Sequence, residues 1–184
     1  MNIPNILTLI RFLLVPVFGY YLYNEQFLVA IIIFISACIT DVLDGVIARK
    51  FNLITSFGKL ADPLADKSMQ LTALAILTIQ KIIPLPVLII VLAKEVFMIA
   101  GSVLIYKKVN FVVQANWYGK MTTVIFSLAI VMTIILHSQR STNTYVGVLI
   151  NIFVFVAVFS TLFSFFMYSM EFRKLTIMNG LKKN

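Results

Sequence analysis

From Ile6 to Met170 the chain is a succession of apolar runs, parted near Asn24, Arg49–Lys59, Lys81–Pro86, Lys107–Asn116 and Ser138–Asn143. A helix needs about 20 apolar residues to cross a bilayer, and six such runs fit into 184 residues. Hydrophobic residues make up 61% of the chain and charged ones 12%, against roughly 45–50% and 25% in a soluble domain. The expected fold is an all-α integral membrane protein with six transmembrane helices. No repeat, low-complexity stretch or linker divides residues 1–184, which read as one membrane domain.

A net charge of +8 would suit nucleic acid if the basic residues shared one surface. They gather instead at the ends of apolar runs, so no nucleic-acid partner is expected. With the N-terminus inside, Arg49, Lys50, Lys59, Lys107, Lys108, Lys120, Arg173, Lys174, Lys182 and Lys183 fall on the cytoplasmic side, and Lys81 and Arg140 on the other. That bias predicts cytoplasmic N- and C-termini in the cell membrane. The first run lacks a small-residue cleavage site and reads as a retained helix rather than a signal peptide. The basic tail suits anionic headgroups of membrane lipids. Cys38 is the only cysteine, so no intrachain disulfide is possible; it reads as a small packed side chain.

Four of the seven acidic residues lie between positions 41 and 66, in Asp41-Val-Leu-Asp44-Gly45-Val-Ile-Ala48-Arg49 and Gly58-Lys-Leu-Ala-Asp62-Pro-Leu-Ala-Asp66. Four carboxylates in so apolar a chain are costly without compensating partners. The second span, about Phe27 to Ala48, places Asp41, Asp44, Gly45 and Ala48 on one helix face, because positions three, four and seven apart are neighbours. Gly45 and Ala48 leave that face open, either for close helix packing or for a bulky ligand. Arg49 can reach a phosphate from the helix end. The third span, about Gly58 to Gln80, has Thr55 or Ser56 as a cap and Pro63 near its start, and sets Asp62 and Asp66 one turn apart. The competing reading pairs the acids with Arg49, Lys50, Lys59 and Lys67, although buried ion pairs rarely gain stability over apolar packing. Oxygen-only donors without His or Cys favour a hard cation, Mg²⁺ or Mn²⁺, and two carboxylate pairs point to two such ions clamping a phosphoryl transfer.

The first span opens Asn2-Ile-Pro4-Asn5-Ile-Leu-Thr8-Leu-Ile-Arg11, and its arginine reads either as a snorkelling interface residue or as an anion contact. The fourth, about Pro84 to Tyr106, holds adjacent Lys94 and Glu95, each expected to need its own partner. The fifth, about Trp117 to His137, begins Trp-Tyr-Gly119-Lys120; no Gly-rich run precedes this pair, so it is not a phosphate loop. His137 reads as an interface residue away from the carboxylates. The sixth, about Tyr145 to Met170, shows no site.

The spacing of Asp41, Asp44, Gly45, Ala48, Arg49, Gly58, Asp62 and Asp66 resembles the full signature of the CDP-alcohol phosphatidyltransferases, and the Pro-Asn-x-x-Thr-x-x-Arg opening extends the likeness across the chain. The resemblance implies transfer of a phosphatidyl group from CDP-diacylglycerol to an alcohol with release of CMP. It implies that Asp41, Asp44 and Asp62 hold one metal and Asp41, Asp62 and Asp66 the other, and that Asp66 takes the acceptor's proton. Asn5, Gly45, Ala48, Arg49, Thr55 and Gly58 would form the nucleotide site, and the protein would be a homodimer.

The Asn-Ile-Pro-Asn opening, the Asp62–Lys67 block, the basic–Glu pair and Gly119-Lys120 are similar to phosphatidylglycerophosphate synthases, which implies glycerol 3-phosphate as acceptor and Lys94 and Lys120 as its phosphate ligands. Lys94 stands where that group more often has Arg. The alternatives are another acceptor, such as phosphatidylglycerol or a different polar alcohol, and, from another class, a divalent-cation transporter or a structural membrane protein without a ligand.

Overall fold

The computed structural model describes residues 3–51, 56–109, 117–139 and 144–181. It consists of six helices, α1 (Ile3–Tyr23), α2 (Phe27–Lys50), α3 (Ser56–Ile79), α4 (Leu85–Val109), α5 (Trp117–Ser138) and α6 (Thr144–Leu181), with no strand among the described residues. Helix ends fall within a turn of those expected, except that α6 continues past Met170 to Leu181. Glu171–Asn179 contains neither Gly nor Pro and is rich in helix formers, so nothing stops the helix there. The basic pair Arg173-Lys174, expected in a tail, is part of that helix.

Among the described residues, four stretches are long and apolar enough to cross a membrane, Asn5–Tyr23, Phe27–Val46, Trp117–Ser138 and Tyr145–Met170. The chain is a multi-pass membrane protein. Helix α3 carries Asp62, Asp66 and Lys67, and α4 carries Lys94 and Glu95, within otherwise apolar sequence.

Helix α1 packs along both α2 and α3, α5 pairs with α6, and α4 leans on α3 and α6. Phe18 and Leu22 of α1, Phe34 of α2 and Ala73 and Leu77 of α3 are buried together, with the Phe18 and Phe34 rings 5.4 Å apart. Small residues bring α1 and α3 close, as is common between helices in membranes. A Cβ on Gly19 would stand 3.1 Å from Thr72 Cγ2, and Ala61 and Ala65 are buried. Farther along, Gln80 Nε2 donates to the Leu22 carbonyl at 3.0 Å. These contacts run in register, so α1 and α3 are parallel and the start of α1 lies beside Asp62 and Asp66. Cys38 is not packed as expected; it is exposed on α2.

The tight Gly19 contact gives a test. Gly19→Leu should force α1 and α3 apart and lower stability by about 1–3 kcal/mol, read as a fall in the thermal unfolding midpoint in detergent. An unchanged midpoint would contradict the packing described.

Candidate active site

The four carboxylates meet at the end of the bundle where α1 and α3 begin and α2 finishes. What joins them is α1. Arg11 Nη1 is 2.7 Å from Asp41 Oδ1 and 3.1 Å from Asp66 Oδ1, and Arg11 Nη2 donates to Asp44 Oδ2 at 2.5 Å. One turn earlier, Thr8 Oγ1 donates to Asp62 Oδ1 at 2.5 Å. Thr8 and Arg11 are each only 1% exposed. The arginine therefore neither snorkels to the interface nor waits for a free anion, because its planar fork is already filled by carboxylates from two helices. Its Nε is buried without a hydrogen-bond partner among the described residues.

The competing reading, in which these acids pair with local basic residues, is not met where side chains are described. Lys67 binds Glu95 Oε2. Lys94 Nζ lies 2.6 Å from Glu95 Oε1, so Lys94 and Glu95 do not have separate partners as expected. The long lysine stem lets the ammonium fold over its neighbour although the two residues leave the helix in different directions. One carboxylate thus holds two ammonium groups.

These groups share a cleft of about 620 Å³. Asp41, Asp44, Gly45, Asp62 and Asp66 form one wall, Lys67, Gln70, Lys94 and Glu95 a second, and Gly119, Lys120, Thr122, Thr123, Thr161, Ser164 and Tyr168 of α5 and α6 the third. The cleft brings both candidate lysines, Lys94 and Lys120, to the same space as the four aspartates. Asn5 is half-buried on the face of α1 that carries Thr8. The side chains of Ala48, Arg49 and Gly58, and the whole of Thr55, lie outside the described residues.

A second cavity of about 520 Å³ is lined by apolar residues including Phe34, Ile39, Leu43, Met69 and Val131. It meets the cleft at Asp41, Asp66, Gln70 and Thr123.

Reasoning from the sequence gave no site role to Thr8, Gln70 or the α6 wall, and considered Lys67 as a partner only for the four aspartates. The signal for Thr8 and Arg11 was their three-residue spacing, which puts both on one face of α1. Tyr168 is held by an edge contact with Tyr118, ring centroids 5.0 Å apart, and rests its hydroxyl where a side chain on Gly119 would be. Span 6 showed no site because Tyr145–Met170 carries no charged residue and its hydroxyls stand among Phe and Val.

The donor chemistry fits hard divalent cations: oxygen ligands only, brought by two helices to one end of a cleft. Asp41 and Asp66 both reach Arg11 Nη1, and like charges gathered that closely favour a cation beside them. Among the described residues no three Asp, Glu, His or Cys side chains stand in the geometry of a formed metal site. Their oxygens are turned to Arg11 and Thr8.

The family model for CDP-alcohol phosphatidyltransferase matches residues 1–166. The chain belongs to the CDP-alcohol phosphatidyltransferase family. Within it, the chain is 30% identical over 174 residues to a CDP-diacylglycerol–glycerol-3-phosphate 3-phosphatidyltransferase of Aquifex aeolicus, covering 93% of this chain and 96% of that one. Proteins of the same name from Rickettsia typhi and Bacillus subtilis are 34% identical over 174 residues, with 91% and 94% coverage, and 38% identical over 137 residues, with 66% and 70% coverage. Membership in this transferase family leaves no support for the transporter reading.

The Arg11–Asp44 pair is the most buried contact of the site and can be tested by stability alone. Asp44→Ala strips a buried guanidinium of its shortest partner, and loss of one member of a buried pair costs about 3–5 kcal/mol. Thermal unfolding in cation-free detergent should show that loss, and a smaller one for Asp44→Asn, which keeps an acceptor oxygen.

Proposed function

We propose that this chain transfers the phosphatidyl group of CDP-diacylglycerol to glycerol 3-phosphate, giving phosphatidylglycerophosphate and CMP. The observation that carries this reading is the single cleft in which four aspartates face Lys94 and Lys120. The names of the three relatives, each a glycerol-3-phosphate 3-phosphatidyltransferase, point the same way.

In this reading Asp41, Asp44, Asp62 and Asp66 hold two divalent cations, Mg²⁺ or Mn²⁺, which supply Lewis-acid stabilisation of charge on the diphosphate oxygens. Asp66 accepts the proton of the acceptor hydroxyl. The freed oxygen bonds to the phosphorus that carries diacylglycerol, and the bond from that phosphorus to CMP breaks. Gly45 and Ala48 leave space for the nucleotide, and Asn5, Arg49, Thr55 and Gly58 complete its pocket. Lys94 and Lys120 hold the acceptor phosphate, Lys94 exchanging Glu95 for the incoming anion. The apolar cavity that opens onto Asp41 and Asp66 suits an acyl chain of CDP-diacylglycerol.

Residues 1–184 act as one domain, and all six helices cross the cell membrane, with both termini and the cleft on the cytoplasmic side. The positive-inside bias supports that orientation. A Cys38→Ser variant carrying one cysteine beyond residue 181 should then react with an impermeant maleimide only after cells are opened. The working unit is a homodimer, which light scattering of the detergent-solubilised protein would measure.

The deciding assay is CMP release with CDP-diacylglycerol and Mg²⁺, comparing glycerol 3-phosphate with phosphatidylglycerol, inositol phosphate and serine. Glycerol 3-phosphate alone should stimulate release, and chelation of divalent cations should stop it. Asp66→Asn should slow transfer by about 100- to 10,000-fold with nucleotide binding retained. Lys94→Met and Lys120→Met should each raise the KM for glycerol 3-phosphate about 10-fold or more, the worth of a charge-assisted hydrogen bond. Stimulation by a different acceptor would keep the transfer and discard this substrate.

A further inference from the structure

We propose that Thr8 and Arg11 are positioning residues of the carboxylate site: together they fix one oxygen of each of the four aspartates, and so set the arrangement in which the site takes up divalent cations. The inference rests on the two-cation reading above and adds to it a second layer of residues on α1, a helix that supplies none of the four carboxylates.

Three observations carry it. First, the contacts are complete, with Thr8 on Asp62 and Arg11 on Asp41, Asp44 and Asp66, at 2.5 to 3.1 Å. Second, both side chains are buried and neither is among the residues lining the cleft, although Arg11 borders the adjoining apolar cavity, so both meet the carboxylates from the side away from Lys94 and Lys120. Third, α1 is packed along both α2 and α3, which makes it a rigid carrier for the two donors. A guanidinium presents its donors in a fixed fork. Asp41 and Asp66 on Nη1 and Asp44 on Nη2 are therefore held at a separation set by covalent geometry. Without that fork four like charges would drive their side chains apart. One oxygen of each carboxylate is committed to α1, and the others are left for cations entering from the cleft. Partners that orient metal ligands in this way are typically worth about 10- to 100-fold in metal affinity.

Arg11 could instead be no more than a resident cation that divalent ions must compete with. The two roles differ in the effect of Arg11→Lys, which keeps the charge and loses the fork. Competition alone predicts unchanged cation affinity, whereas positioning predicts weaker binding. Thr8→Val removes a neutral donor at nearly constant volume and carries no charge effect at all.

The experiment is Mn²⁺ binding to the detergent-solubilised full chain, without either substrate, measured by titration calorimetry. Thr8→Val and Arg11→Lys should each weaken binding by about 10- to 100-fold, and Thr8→Ser should restore it. Thermal unfolding in cation-free buffer identifies the folded variants. If Arg11→Lys does not fold, the Thr8→Val and Thr8→Ser pair decides. Wild-type affinity, or tighter, in folded Thr8→Val overturns the proposal while leaving the two-cation reading intact. No Mn²⁺ bound by the wild-type chain overturns both.

Discussion

Everything at the chemical end of this bundle depends on finding a partner for four carboxylates in an apolar chain. Burying a charge without compensation is prohibitive, and water is scarce between packed membrane helices. Arg11 supplies the compensation within the fold, touching Asp41, Asp44 and Asp66 at once. This contact fixes the architecture around it. Helix α1 must lie against both α2 and α3 to let one guanidinium reach both, and the small residues Gly19, Ala61 and Ala65 permit the approach on the α3 side. One guanidinium still leaves four aspartates short of positive charge. That deficit is the physical argument for the two-cation reading proposed above.

The cleft divides by chemistry as well as by helix. The four aspartates come from α2 and α3, ammonium groups from α3, α4 and α5 with Glu95 of α4 between two of them, and hydroxyls from α5 and α6, while the adjoining cavity is mostly apolar. An anionic headgroup bearing long acyl chains is the kind of molecule that such a division accommodates. The two cavities meet at Asp41 and Asp66, the two carboxylates that share Arg11 Nη1.

Helix number and near-complete boundaries were legible in the sequence because runs of about 20 apolar residues have few other solutions. The one-face placement of Asp41 with Asp44, and of Asp62 with Asp66, followed from helical periodicity alone. The role of Arg11 was not legible. Its partners lie 30 to 55 positions away, and no local pattern tells an arginine that reaches water from one that reaches across to Asp44. The Lys94–Glu95 pair was misread because helix periodicity places side-chain roots, not the ends of long flexible stems. The end of α6 was missed for a related reason: charge at Arg173-Lys174 marks where apolar sequence stops, and a helix needs only the absence of a breaker to continue.

The two charged walls of the cleft solve the same problem in opposite senses. The acidic wall carries its own cation in Arg11, and the basic wall carries its own anion in Glu95, shared by Lys67 and Lys94. Each resident counter-charge lets its wall fold without a ligand in a low-dielectric setting, where lone charges would otherwise be expelled or neutralised. Each also means that a ligand's affinity is the difference between its own contacts and those it replaces. The walls differ in how far that replacement can go. Glu95 lines the cleft and its lysines have flexible stems, so an anion can take its place; Arg11 is buried on a helix packed against both α2 and α3 and is held by three carboxylates at once. The basic wall thus suits exchange and the acidic wall permanence, the difference that the proposed reading needs between an acceptor site and a cation site.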